Sequence, residues 1–267
     1  MTDELDEIRE KEEANYRVSV GLLGDSVSLV QDLVDLHKVL TKTASKSKTV
    51  VKDEHITGLH FLLAVRYHLT IGSVAALRAH TSDALRSGRM AIEAAAFAAR
   101  VKSQPELAMA WLNAAQDDEA YVRYRRIFSG QKMFPEADAV LHELGQRFET
   151  TSKLSHPSIY ALAEHVRIVK TETGLNVEFH YFPVKKGDPS EPTRTFLWTI
   201  DTHFGALRVF VDVLAETLES ERKAIDLRMN AVDAKLAVHK GRWKDVILRK
   251  PDKPTPDPSG LIIIPPF

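Results

Sequence analysis

Apolar residues recur at spacings of three and four along most of this chain, the period of a helix with one buried face. The first such stretch, residues 3–45, predicts a helix in two pieces, interrupted near Arg17–Gly24. In the second piece Val27, Val30 and Val34, with Leu33, Leu36 and Leu40, mark the apolar face. Lys42, Lys46, Lys48 and Lys52 follow among Ser and Thr with no acid between them, as expected of a connecting loop. Asp53 can cap a helix to about His80, with Ile56, Leu59, Leu62, Leu63 and Leu69 as its buried face. Thr81 or Ser82 can cap the next, over 82–103. Pro105 suits the first turn of a short helix to about Gln116. Asp117 or Asp118 opens another to about Phe128, and Pro135 one to about Phe148.

Beyond Phe148 the pattern changes. In Lys153-Leu-Ser-His-Pro-Ser158, Pro157 disfavours helix at His156 and favours it at its own position, which predicts a helix from there to about His165. From Val166 the period is two. Val166–Thr171 and 176–182 alternate around Glu172-Thr-Gly174, a β-hairpin pattern. A lone hairpin is marginal in water, so it is expected to lie on the helices. After the loop Asp188–Pro192 come two predicted helices, 193–219 and 220–239. Lys250–Gly260 carries four prolines and reads as an extended, disordered linker to the apolar tip Leu261–Phe267. That tip either folds back on its own body or docks in a protein partner's groove or sheet edge. The expected class is mainly α: an irregular multi-helix bundle with one small β-hairpin near residues 166–182 and a Pro-rich tail. Its expected parts are an N-terminal helical segment, 1–45, a bundle core, 53–240, and the tail, 241–267.

Composition narrows the chemistry. The 267 residues include 36 Lys+Arg, 37 Asp+Glu and no cysteine, for a net charge of −1. This excludes disulfides, Cys-ligated metal and a thiol nucleophile, and argues against wholesale electrostatic capture of nucleic acid. Residues 1–13 hold the acids Asp3, Glu4, Asp6, Glu7, Glu10, Glu12 and Glu13 against Arg9 and Lys11, the reverse of a secretory signal. The best membrane candidate, Leu59–Leu77, contains Arg66, whose burial in a bilayer would cost about 2.5–3.5 kcal/mol. A cytoplasmic protein outside the membrane is expected. The acidic start and the basic segment 221–250 can pair within or between chains, so a homo-oligomer is a further expectation.

The helix over 82–103 is the most informative stretch. At 100° per residue, Arg86, Arg89, Glu93, Phe97 and Arg100 fall, with Ser82, in an arc of about 80°. The remaining positions are almost all apolar or small, Ala84, Gly88, Ala91 and Ala95 among them, which marks a central helix with close neighbours. Its polar stripe therefore either lines a cleft or is buried and paired. Glu93 stands four residues after Arg89 and seven after Arg86, so two guanidinium groups can hold one carboxylate. The result is an internal ion network, or a site where arginines meet an anion: carboxylate, phosphate or nucleotide. His156, at an expected helix start, is either a further anion ligand or acid/base group, or packs beside the capping Ser155 and Ser158. The candidate ligand residues are thus Arg86, Arg89, Glu93 and His156.

Other chemistry is poorly supported. His55 and His60 are five residues apart, on different helix faces, and no His-x3-His or His-Glu-x-x-His pattern occurs, so no metal site is expected. Glycine-rich phosphate and dinucleotide loops are missing, as is the Gly-x-Ser-x-Gly elbow, so no cofactor is expected. Tyr121-Val-Arg-Tyr-Arg-Arg126 combines aromatic and basic residues, either the ingredients of single-strand RNA contact or a snorkelling outer face.

The Arg89-x-x-x-Glu93 helix with its alanine run, Pro105-Glu-Leu-Ala, and Leu154-Ser-His-Pro-Ser158 resemble bacterial all-helical proteins without an assigned activity, over roughly residues 55–170. The resemblance implies a helical core. A second comparison is with the HEPN nucleases, helical bundles of bacterial toxin and defence systems, whose signature is Arg and His separated by four to six residues. Here Arg147 and His156, like Arg194 and His203, have eight between them, so the signature is missing. The expected function is a non-enzymatic binding protein with an Arg/Glu-lined cleft for a small anion or a partner. The alternative is a HEPN-like or other phosphate-directed hydrolase, with Glu93 or His156 as acid/base.

Overall fold

A computed structural model describes residues 2–46, 52–129, 133–155, 166–171, 174–179 and 190–248. Helix α1 (Thr2–Leu23) ends at Gly24, whose φ of +53° lies in the left-handed region that glycine tolerates best. A 3-10 turn, Gly24–Val27, leads into α2 (Ser28–Lys46). The interruption therefore falls at the end of the expected window, and Arg17 stays helical, paired with Glu13 at 3.0 Å. In α2 the leucines Leu29, Leu33, Leu36 and Leu40 are buried, while Val30 and Val34, and Val27 just before the helix, are only partly so.

Helix α3 (Asp53–Leu77) starts one residue earlier than a cap at Asp53 would require. Lys52 is the N-cap, and Asp53 and Glu54 sit in the first turn, facing the positive end of the helix dipole. Phe61, Leu62, Val65 and Leu69 are buried, but Leu63 is 46% exposed. The expected face is corrected because α3 is apolar almost all round, so its period does not mark one side. It is the one described helix long and apolar enough to cross a membrane, by length and composition only.

Helix α4 (Thr81–Ser103) follows His80, which caps it without a side-chain bond. The expected Thr81 cap is corrected: the Thr81 hydroxyl donates to Glu191 Oε1 of a later helix at 3.2 Å. Helix α5 (Leu107–Leu112) is shorter than expected. Helix α6 (Asp118–Ile127) is capped by Asp117, whose Oδ1 accepts from Ala120 N at 2.7 Å. Helix α7 (Ala139–Ser155) starts after Asp138, not at Pro135, because the Asp138 carboxylate accepts from Val140 and Leu141 N, both at 3.0 Å. It also runs on past Phe148 to Ser155.

Strands β1 (Val166–Thr171) and β2 (Gly174–Phe179) pair antiparallel, Val166 opposite Phe179 and Thr171 opposite Gly174. A hairpin lying on the helices finds no support among the described residues. The expected helix from Pro157 to His165, the segment 180–182 and the tail tip Leu261–Phe267 lie outside them. Helix α8 (Ser190–Val213) takes Pro192 into its first turn and ends at Leu214, where a helix to 219 was expected. Short α9 (Ala215–Leu218), α10 (Arg222–Arg242) and α11 (Lys244–Leu248) follow, so helix extends beyond residue 241, the expected start of the tail.

The structure is a mainly helical, multi-helix assembly around α4, which packs against α3, α7 and α8. Ala84, Ala91, Ala95 and Ala98 are completely buried along it. Small residues set the spacing. A Cβ on Gly88 would sit 2.6 Å from Cη2 of Trp198 on α8, and one on Gly72 of α3 would sit 2.9 Å from Ser87 Cβ. At the far side of the bundle, the Ser26 hydroxyl meets His239 Nδ1 at 2.8 Å, and Asp32 and Asp25 pair with Lys235 and Arg242. The partners of the basic 221–250 segment thus include these two aspartates, whereas the residue 1–13 acids with described pairs join Arg9, Lys11, Arg17, Arg78 and His80.

Two histidines are enclosed in this core. His203 Nδ1–H donates to the Thr199 carbonyl oxygen at 2.7 Å, and among the described residues neither ring nitrogen of His37 has a hydrogen-bond partner. Burial, reinforced by His203 and Arg66, pushes His37 down to about 3. Burial also pushes His203 down to about 4, against the Thr199 bond and with help from His68. Both are therefore neutral in the folded protein near neutral pH.

Two outcomes follow from this packing. Gly88→Ala should destabilise the fold by about 1–3 kcal/mol through overpacking against Trp198, read as a lower midpoint in urea unfolding. Unfolded histidine titrates near 6.5, so below that pH the unfolded chain binds protons that folded His37 and His203 refuse. Above about pH 6.5 both rings are neutral folded or unfolded and the shifts cost nothing; as pH falls towards the folded values each becomes a penalty of about 3–5 kcal/mol. His37→Leu should flatten the fall in unfolding free energy between about pH 6.5 and 4, and an unchanged slope would contradict this.

Candidate functional site

The stripe of α4 divides into three environments. Arg86 is largely exposed and its Nη1 donates to Asp83 Oδ1 at 3.1 Å. The expectation that Arg86 and Arg89 share Glu93 is thereby corrected. Glu93 is two turns away, about 10 Å along the axis, whereas Asp83 is one turn away. Arg89 does pair with Glu93, Nε to Oε1 at 3.2 Å, with side chains 23% and 26% exposed. Its guanidinium carbon lies 4.7 Å from the centre of the Phe148 ring, a cation–π contact with α7. Arg100, the last cation of the stripe, faces Met133 Sδ at 3.5 Å and borders a separate depression of about 260 Å³.

Arg89, Glu93 and Phe97 open onto a cleft of about 820 Å³. Helix α6 forms its other side. The Asp117 cap starts α6, and Tyr124 and Phe128 lie beside Phe97, with ring centres 6.2 and 4.9 Å away. Arg125 and Arg126, on the same helix, also line the cleft. Phe134 and Phe148 close the remaining side, 5.4 Å apart, and Gly145 makes room for Phe134, since a Cβ there would sit 2.7 Å from Phe134 Cβ. The stripe is therefore neither fully buried nor fully solvated, and its centre faces a cavity.

The charge balance of the lining is uneven: three arginines to one glutamate. Among the described residues Arg125 and Arg126 have no ion-pair partner. Tyr124 is pushed above its ordinary value by burial and by the Glu93 carboxylate, so its phenol stays protonated and can donate. A concavity with an excess of guanidinium groups attracts anions, because its low-dielectric walls focus the field of those groups.

His156 lies outside the described residues, and α7 continues through Ser155. The segment Tyr121–Arg126 supplies what α4 alone did not: Arg125 and Arg126 belong to the cleft, although the expected ligand residues were Arg86, Arg89, Glu93 and His156 and this segment was read only as an RNA contact or a snorkelling face. Their mixed aromatic and basic pattern was the signal. Arg147 was also missed. It bonds Asp201 Oδ2 at 2.7 Å and Thr202 at 3.2 Å, and joins Glu143, tying α7 to α8. Burial pulls Arg147 down, but pairing with Asp201 and Glu143 more than offsets this and holds it above its ordinary value. Glu143, four residues earlier on one helix, is legible in sequence; Asp201 is not.

No set of three His, Cys, Asp or Glu residues placed to hold a metal is found among the described residues. His55 is buried, 3.6 Å from Glu216, while His60 is exposed beside Trp111, in keeping with their different helix faces. No known protein family, curated protein or solved structure matches the chain.

Proposed function

We propose that this chain is a binding protein whose α4–α6 cleft takes a small anion. One observation carries the reading: Arg125 and Arg126, which have no ion-pair partner among the described residues, line the same cavity as the Arg89–Glu93 pair. Glu93 orients Arg89 and tempers the positive charge, and the α6 arginines add the excess that an anion would neutralise. The ligand residues of this reading are Arg89 and Glu93, joined by Arg125 and Arg126. Arg86, turned to Asp83, plays no part. The hydrolase alternative called on Glu93 or His156 as acid/base, and His156 lies outside the described residues. The carboxylate is engaged by Arg89, which suits a positioning role, so no observation favours that alternative.

Isothermal titration with inorganic phosphate at low ionic strength tests the reading. Phosphate should bind, and more weakly as salt is added. Arg125→Gln/Arg126→Gln should weaken it about tenfold or more, since each lost charge-assisted bond is worth about 1.5–3 kcal/mol. Both positions are exposed, so the fold should be retained. Absence of binding, or equal binding by the variant, would contradict the reading.

A further inference from the structure

We infer that the anion this cleft takes is a phosphate carried on a planar aromatic base, a free nucleoside monophosphate. The inference rests on the anion-binding reading above and adds the chemistry of the rest of the ligand. Two features of the lining point to it.

The first is the placement of the cations. A carboxylate is flat, and one guanidinium satisfies it in a bidentate pair. Here guanidinium groups come from two helices, Arg89 from α4 and Arg125 and Arg126 from α6. Donors approaching from separate elements match a tetrahedral group with three terminal oxygens better than a planar one. The Tyr124 hydroxyl, protonated and in the same lining, offers a further donor.

The second is the aromatic surface, which a bare phosphate does not require. Phe97, Phe128, Phe134 and Phe148 border the cavity together with Tyr121 and Tyr124. Several of these pack on one another as core. Tyr121 does not fit that role: it is 50% exposed, and its ring centre stands 6.0 Å from that of Tyr124 at a tilt of 39°. An exposed tyrosine at the mouth of a cationic cleft offers a free face on which a base can stack. The volume, about 820 Å³, is in the range of small-molecule sites and exceeds what a lone phosphate fills. The chain as a whole carries a net charge of −1, which disfavours a long polyanion and favours a single nucleotide.

The experiment is a calorimetric titration of the full chain with inorganic phosphate, adenosine, AMP and a 5′-phosphorylated tetra-adenylate. Proteins are the wild type, Tyr121→Ala and Tyr124→Phe. AMP should bind about tenfold or more tightly than phosphate, as expected when one base–aromatic stack is added. Tyr121→Ala, at a half-exposed position whose loss leaves no core cavity, should erase most of that factor and leave phosphate affinity in place. Tyr124→Phe, which keeps the ring and removes the hydroxyl, should weaken phosphate and AMP alike. Phosphate binding as tight as AMP binding would overturn the inference and leave the anion reading standing. An AMP preference untouched by Tyr121→Ala would overturn it too, because the base would then not stack there. Tetra-adenylate binding about tenfold tighter than AMP would also overturn it, in favour of a single-stranded nucleic acid. Failure of every phosphate to bind would remove both readings together.

Discussion

The structure depends on how closely three helices approach α4. Ala84, Gly88, Ala91, Ala95 and Ala98 give that helix a surface with almost no side-chain bulk, and Trp198 of α8 rests directly over Gly88. Close approach buries dispersion contacts along the whole length of the helix, but it leaves no space for a charged side chain on the packed sides. The arginines and Glu93 are confined to the one remaining arc. A fully buried Arg–Glu pair would cost more in lost hydration than it returned. The bundle avoids this by leaving that arc partly open, with Arg89 and Glu93 each about one-quarter exposed. The cleft is thus a consequence of putting a polar stripe on a central helix.

The same core encloses His37 and His203, which remain neutral only by refusing protons that the unfolded chain accepts. Apolar residues at these places would pack without that penalty. The consequence is a bundle whose stability is coupled to pH in the acid range, through groups far in chemistry from the cationic cleft. Around the outside, ties of another kind hold the ends. Ser26 joins His239 and Trp243, and Asp25 and Asp32 pair with Arg242 and Lys235. These contacts hold the 3-10 turn, α2 and the last described helices on one core, a single cluster that includes Leu23 and Leu236.

The class of fold and the central place of α4 were legible because their signals are local. An alanine-rich helix with a narrow polar arc reads the same in sequence and in space. The Asp117 cap and the break beside Gly24 were legible for the same reason. What failed was whatever depended on a neighbour far along the chain. Thr81 looked like a cap and instead bonds Glu191; Leu63 looked buried because α3 is apolar on all sides, and only packing chooses which side faces in. Arg86 and Arg89 looked equivalent on one arc until Asp83 claimed the first. The cleft itself was half visible. Its α4 wall was read from spacing, but nothing in the sequence says that Arg125 and Arg126 face Arg89, more than thirty positions away.

On the proposed reading Arg89 is a ligand of the anion bound in the cleft. Arginine side-chain NMR reports on it directly, through the Nε–H resonance of Arg89 as inorganic phosphate is added to the full chain. A saturable shift is expected at Arg89, shared by Arg125 and Arg126 and absent at Arg86. A resonance at Arg89 that stays fixed while Arg86 moves with the other exposed arginines would contradict the reading.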